Sequence, residues 1–269
     1  HRRIKLPASG AELARAVAEL RSQINGTSNV TPPAARQLHQ WLIAPLQAAL
    51  SGARYLHFVP DGVLRYVPFA ALHDGHRYLA EDHVVSLSLS ADAGDGAASA
   101  EATSRPTVAA FGRSRSSEAH TALPGVLLEL ERLRRRSDAE VALDAEFTRS
   151  RLVQSLKQQP RVVHLASHFV LAPASEEDSY LLLGDGERLT LTDLRQLPWQ
   201  GVRLALLSAC DSALPLGHGA GSDGREWAGL AAALQRAGVK DILATMWRID
   251  DLAAARWIRD FYDQWPRLK

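Results

Sequence analysis

Arg161-Val162-Val163-His164-Leu165-Ala166-Ser167-His168 and Val202-Arg203-Leu204-Ala205-Leu206-Leu207-Ser208-Ala209-Cys210 decide how this chain folds. Each is a short aliphatic run, too brief for a helix of ordinary length and apolar at consecutive positions, as a strand buried on both faces requires. The same kind of run recurs at 108–111, 141–143 and 242–246, and helical patterns fill the gaps at 124–136, 149–159, 225–237 and 251–264. Thr148 stands where an N-cap would open the second of these helices, and Gly238 where a C-terminal glycine would close the third. Five strands alternating with helices predict an α/β fold: a mostly parallel sheet covered by helices on both faces, since parallel strands need crossovers and crossovers share one hand. Tyr180 to Leu191, with Gly184-Asp185-Gly186 at its middle, reads as a short hairpin inserted in one crossover.

Outward from this core the pattern changes. Residues 9–25 and 34–50 carry apolar side chains at three- and four-residue spacing and are expected to be helices. Tyr55 to Val59 and Leu64 to Phe69, across Pro60-Asp61-Gly62, are expected to form a β-hairpin, and Val84 to Leu87 a further strand. Residues 91–106 contain nothing large and apolar and read as a linker. The expected organisation is therefore an N-terminal helical and β-hairpin section over 1–90, the linker over 91–106, and the α/β core over 107–269.

The chain has 269 residues, 31 Lys plus Arg against 30 Asp plus Glu, and one cysteine. Near-zero net charge argues against a nucleic-acid partner. No window reaches the roughly 18 consecutive apolar residues of a membrane span, so no membrane partner is expected either. A single cysteine forms no internal disulfide, which favours a reducing compartment, with the cytoplasm as the expected location. The sole methionine is Met246, so the chain is expected to be a fragment, a processed product or one lacking its first residues.

In open α/β sheets ligands bind beyond the carboxyl ends of the strands. There His168 follows one strand and Cys210 the next. A thiolate can attack a carbonyl carbon while an imidazole moves the protons, and backbone N–H groups near Cys210 can hold the oxyanion. A lone cysteine is more often core filler. Cys210, however, is followed by Asp211-Ser212 and a loop with Gly217, Gly219, Gly221 and Gly224, where a core strand ends. The loop over 214–225 is expected to be mobile.

Leu207-Ser208-Ala209-Cys210-Asp211-Ser212-Ala213, His164-Leu165-Ala166-Ser167-His168 and Ala244-Thr245-Met246-Trp247-Arg248-Ile249-Asp250-Asp251 resemble the CHAT domain, a caspase-like cysteine peptidase family. So do Val59-Pro60-Asp61-Gly62, Arg65 to Leu72, and Leu123-Pro124-Gly125 with Glu129. The resemblance, spanning roughly residues 38–262, implies the caspase-like sheet shared with separases and gingipains. It also implies His168 as the catalytic histidine, Cys210 as the nucleophile, and the backbone N–H groups of Phe169 and Cys210 as the oxyanion site. No cofactor or metal is implied. The substrate would be a protein or peptide, and activity would be latent until a regulatory partner or upstream domain orders the cleft. Asp211, Asp250 and Trp247 are the expected substrate-binding residues; with Asp251 and Glu226 nearby, these acids suit a basic residue before the scissile bond. The family's common pattern has Gly after the histidine where this chain has Phe169. That departure supports the alternative, a catalytically silent module kept for protein binding.

Other motifs do not hold. Gly219 to Gly224 satisfies G-x-G-x-x-G but lies about nine residues beyond its strand, so a dinucleotide reading fails. No P-loop and no G-x-S-x-G elbow occurs. His57, His73, His76 and His83 lack metal-ligand spacing, and the arginines at 132 and 134–136, with Glu129 and Glu131 beside them, read as a solvated helix face.

Overall fold

The computed structural model of the chain describes residues 3–24, 31–88, 108–170, 177–208, 233–245 and 249–265. These fall into two compact units, one before and one after the expected linker, which itself lies outside the described residues.

In the first unit, helix α1 (Gly10–Ile24) buries Leu13, Ala16, Val17 and Leu20. Ser9 and Glu12 exchange capping hydrogen bonds at its start. Helix α2 (Pro33–Leu42) packs against it and buries Ala34, Ala35, Leu38 and Leu42. The single helix expected over 34–50 is interrupted: Pro45 has no N–H to give, a 3-10 turn occupies Ala44–Leu46, and the chain resumes as α3 (Gln47–Leu50).

The expected hairpin does not form. Strand β1 (Tyr55–Phe58) pairs in parallel with β2 (Val84–Leu87), and Gly62–Tyr66 is a 3-10 helix. Asp61 accepts from the Gly62 N–H at 2.8 Å and starts that turn. Pro60 and Pro68 could not donate to a ladder, so the segment satisfies its backbone locally and buries Tyr66, Val67, Phe69 and Leu72. Helix α4 (Leu79–Asp82) then leads into β2.

The second unit is built on a five-stranded parallel sheet: β3 (Val108–Gly112), β4 (Ala139–Leu143), β5 (Val162–Ala166), β9 (Leu204–Leu207) and β10 (Asp241–Ala244), in the order β10-β9-β5-β3-β4. Between β5 and β9 the chain inserts an antiparallel sheet of β6 (Phe169–Val170), β7 (Tyr180–Leu182) and β8 (Arg188–Thr190). The expected hairpin is thus present, with a third strand added. Helices α5 (Pro124–Arg134) and α8 (Asp251–Gln264) pack on each other over one face. Helices α6 (Arg149–Lys157), capped by Thr148, and α7 (Leu191–Gln196) contribute to the core on the other.

Apart from Glu140, His164 and Asp241 the strands of this sheet carry no polar side chain, because alternate residues serve different cores. Val108, Ala110, Val162, Ala166 and Leu206 join α5 and α8. Ala109, Phe111, Val163, Leu165, Ala205 and Leu207 join the α6 and α7 side. This parity places His164, and the residues that share its face, toward α5.

Candidate active site

The order β4-β3-β5-β9 has its switch at β3 and β5, because β4 turns one way from β3 and β5 the other. A crevice at the carboxyl ends of the strands is expected there. His168 sits at that edge, two residues past β5. The inserted sheet holds its backbone: the Leu182 N–H donates to the His168 carbonyl at 2.9 Å, and Phe169 pairs with Leu181.

The imidazole is almost sealed, at 1% exposure. Its Nε2 lies 2.8 Å from the Thr121 carbonyl oxygen, and the His120 ring centroid is 5.0 Å away. A carbonyl can only accept, so in the neutral ring Nε2 carries the proton and Nδ1 is the basic nitrogen. Thr121 belongs to the loop between β3 and α5, which is fixed at several points. The Leu123 N–H donates to the Ser114 carbonyl at 2.9 Å, the Ser114 N–H to Asp144 Oδ1 at 2.7 Å, and the Arg113 N–H to the Ala166 carbonyl at 2.9 Å. The buried Arg113 guanidinium donates to the Leu183 and Gly184 carbonyls. The turn after β7 is thereby tied to the end of β3.

Phe169, where the family's pattern has glycine, is 2% exposed, and its side chain lies in the core with Leu181, Leu183 and Leu189. The bond from Leu182 to the His168 carbonyl places the ladder bonds on either side of Phe169, so its own N–H points away from β7.

The two neighbouring acids at the start of α8 behave differently. Asp250 is exposed and caps its own helix, Oδ1 accepting from the Ala253 N–H at 2.9 Å. Asp251 is half-buried and accepts from the Gly125 N–H at the start of α5. Burial pushes its carboxyl above the ordinary carboxylate range. The Gly125 N–H pulls it back, the charges of Glu129 and Asp250 raise it further, and His168 lowers it.

Of the residues expected from sequence, His168 stands at the edge the pattern indicated. Phe169 lies beside it, and Asp250 is engaged in its cap. Cys210, Asp211, Trp247 and the glycine-rich loop over 214–225 lie outside the described residues. His120 and Thr121 had not been singled out: Thr121 contributes a backbone carbonyl, which leaves no residue-type signal, and His120 sits in an irregular loop. Among the described residues no three metal-ligating side chains cluster, and no helix is long and apolar enough to cross a membrane.

The sequence profile of the CHAT domain matches residues 32–269. The chain belongs to the CHAT domain family. No curated protein matches it. CHAT domains are caspase-like, and the five-stranded parallel sheet flanked by helices agrees with that fold. Peptide hydrolysis is the activity that membership in this family points to.

Proposed function

We propose that this CHAT domain protein is a cysteine endopeptidase in which Cys210 is the nucleophile and His168 the base. The observation that carries this reading is the bond from Nε2 of His168 to the Thr121 carbonyl, which leaves Nδ1 as the proton acceptor. The parallel register supports it. Leu165 pairs with Leu207, so in sequence His168 and Cys210 each follow a paired residue by three positions.

In the reaction the Cys210 thiol gives its proton to Nδ1, and the sulfur attacks the scissile carbonyl carbon. The oxyanion is held by backbone N–H groups, of which Phe169 offers one turned away from its ladder. The imidazolium returns the proton to the departing amine, leaving a thioester. Water, losing a proton to Nδ1, then attacks the thioester and regenerates the thiol. A basic residue before the cleaved bond would meet the acids Asp211, Asp250 or Asp251, of which Asp250 is exposed and keeps its Oδ2 clear of the helix cap. A protein or ligand partner would raise turnover by ordering the substrate cleft, the dyad itself being formed without it.

The near-complete burial of His168 favours a second reading, a silent protein-binding module. Labelling with an electrophilic peptide ending in Arg, with a neutral-residue probe in parallel, separates the two. The peptidase labels at Cys210, faster with Arg, and His168→Ala slows labelling by about 10²-fold or more. Equal labelling of wild type and His168→Ala would establish the silent module.

A further inference from the structure

Below the edge of the sheet, on the α5 side, lies a second group of polar residues that the proposed reaction does not use. Glu129 of α5, His164 of β5 and Ser208 after β9 are 2%, 0% and 6% exposed. Ser208 Oγ donates to Glu129 Oε1 at 2.9 Å, and His164 Nε2 is 3.1 Å from Glu129 Oε2. The Tyr262 ring of α8 lies 5.8 Å from that of His164. Around them are Leu130, Leu133, Leu206 and Ile258.

The arrangement is not a second catalytic triad. The carboxylate stands between serine and histidine, so the imidazole does not face the hydroxyl, and burial denies a substrate access. Nor is it an economical way to stabilise a core, because apolar side chains of similar volume commonly do at least as well as buried ionisable groups. What a directional polar set adds is a fixed register between the elements that carry it.

We propose that Glu129, with His164, is a positioning group that acts through Ser208 to hold the chain entering Cys210 in register with His168. This inference rests on the peptidase reading above. Three observations converge on it. Ser208 is two residues before the nucleophile, and its hydroxyl is bonded to α5 while its N–H donates to the Leu165 carbonyl at 2.9 Å. Glu129 also contacts His164, on the strand that delivers His168. The loop leading into α5 supplies the Thr121 carbonyl that orients the imidazole. One helix and its leading loop therefore touch His168 and the strand end two residues before Cys210, and a shift of α5 moves those two points together.

Cys210 is the sole cysteine of the chain, so alkylation by iodoacetamide reports on it alone. Its second-order rate is measured against pH in wild type, His168→Ala, Ser208→Ala, Ser208→Thr and Glu129→Gln, each with a thermal unfolding curve. Ser208→Ala is expected to slow alkylation at least tenfold in the folded protein while leaving the pH midpoint in place. Ser208→Thr, which keeps the hydroxyl, restores most of the rate, and Glu129→Gln falls with Ser208→Ala. Should Glu129→Gln not fold, the two serine variants decide. A folded Ser208→Ala protein that reacts at the wild-type rate, with His168→Ala slow, overturns this positioning role alone. Equal rates in wild type and His168→Ala overturn the peptidase reading and this inference with it.

Discussion

Asp251 places a half-buried carboxylate against the Gly125 N–H, and its pKa is raised chiefly by burial. A carboxyl whose folded pKa lies above its unfolded value of about 3.8 holds its proton more tightly when folded. Its ionisation therefore opposes folding, with no effect below the unfolded pKa and the full penalty above the folded one. Asp251→Asn keeps an oxygen for the Gly125 N–H and removes the charge. The variant is expected to melt higher than wild type at pH 8 and to converge with it near pH 3, as scanning calorimetry across that range would read. A difference of the same size at both ends would rule out ionisation as its source. Gly125 is fixed for a related reason, since a Cβ there would run into the Asp251 backbone and carboxyl. At this scale the sequence shows what side chains declare. His168 was legible because a polar residue closing an apolar run at a strand end has few structural reasons to be there. The Thr121 contribution was not, because any residue has a carbonyl.

Among the elements, the segments that carry their own signals were the legible ones. Thr148 accepts from the Arg151 N–H as an N-cap should, and all five runs of the main sheet are strands. The segment after β1 was misread because its alternating apolar residues fit a short strand as well as a 3-10 turn. The true partner of β1, at 84–87, is set by a non-local pairing that periodicity does not encode. Tertiary ties between helices are equally silent in sequence. Arg149 at the start of α6 reaches Asp193 of α7 in a two-pronged contact at 3.1 and 3.2 Å. Asp193 also closes a capping box with Thr190. The Arg149 guanidinium, followed by the Thr190 bonds, holds the Asp193 carboxyl down at about 2. A depressed carboxylate contributes stability that is present above its unfolded pKa of about 3.8 and is lost as pH falls toward 2. Asp193→Asn is expected to cost about 1 kcal/mol at pH 7, the attraction being partly screened by solvent. The cost should shrink through that acid window, as urea titrations at pH 7 and pH 2.5 would show. An unchanged cost at pH 2.5 would assign the effect to the cap alone.

On the scale of the whole α/β unit, the parallel sheet is a partition. Residues of one parity pack with α5 and α8, those of the other with α6, α7 and the inserted sheet, and the strand sequences, apolar at most positions, announce both contacts without saying which residue serves which face. Val126 on α5 and Leu156 on α6 are each 1% exposed, on opposite sides. Val126→Ala removes two methyl groups from one core and is expected to cost about 1–2 kcal/mol, at ~0.8 kcal/mol per buried carbon. Leu156→Ala opens a cavity in the other, at about 2–5 kcal/mol. Groups separated by a sheet share no partners, so the double variant is expected to lose the sum to within about 0.5 kcal/mol. The polar set of Glu129, His164 and Ser208 makes a contrasting case on one face. There Glu129→Gln and Ser208→Ala share a hydrogen bond, and their joint cost should fall short of the sum. Denaturant unfolding of the four single and two double variants measures both couplings. Strong coupling between Val126 and Leu156 would mean that the sheet transmits repacking from one face to the other rather than isolating the two cores.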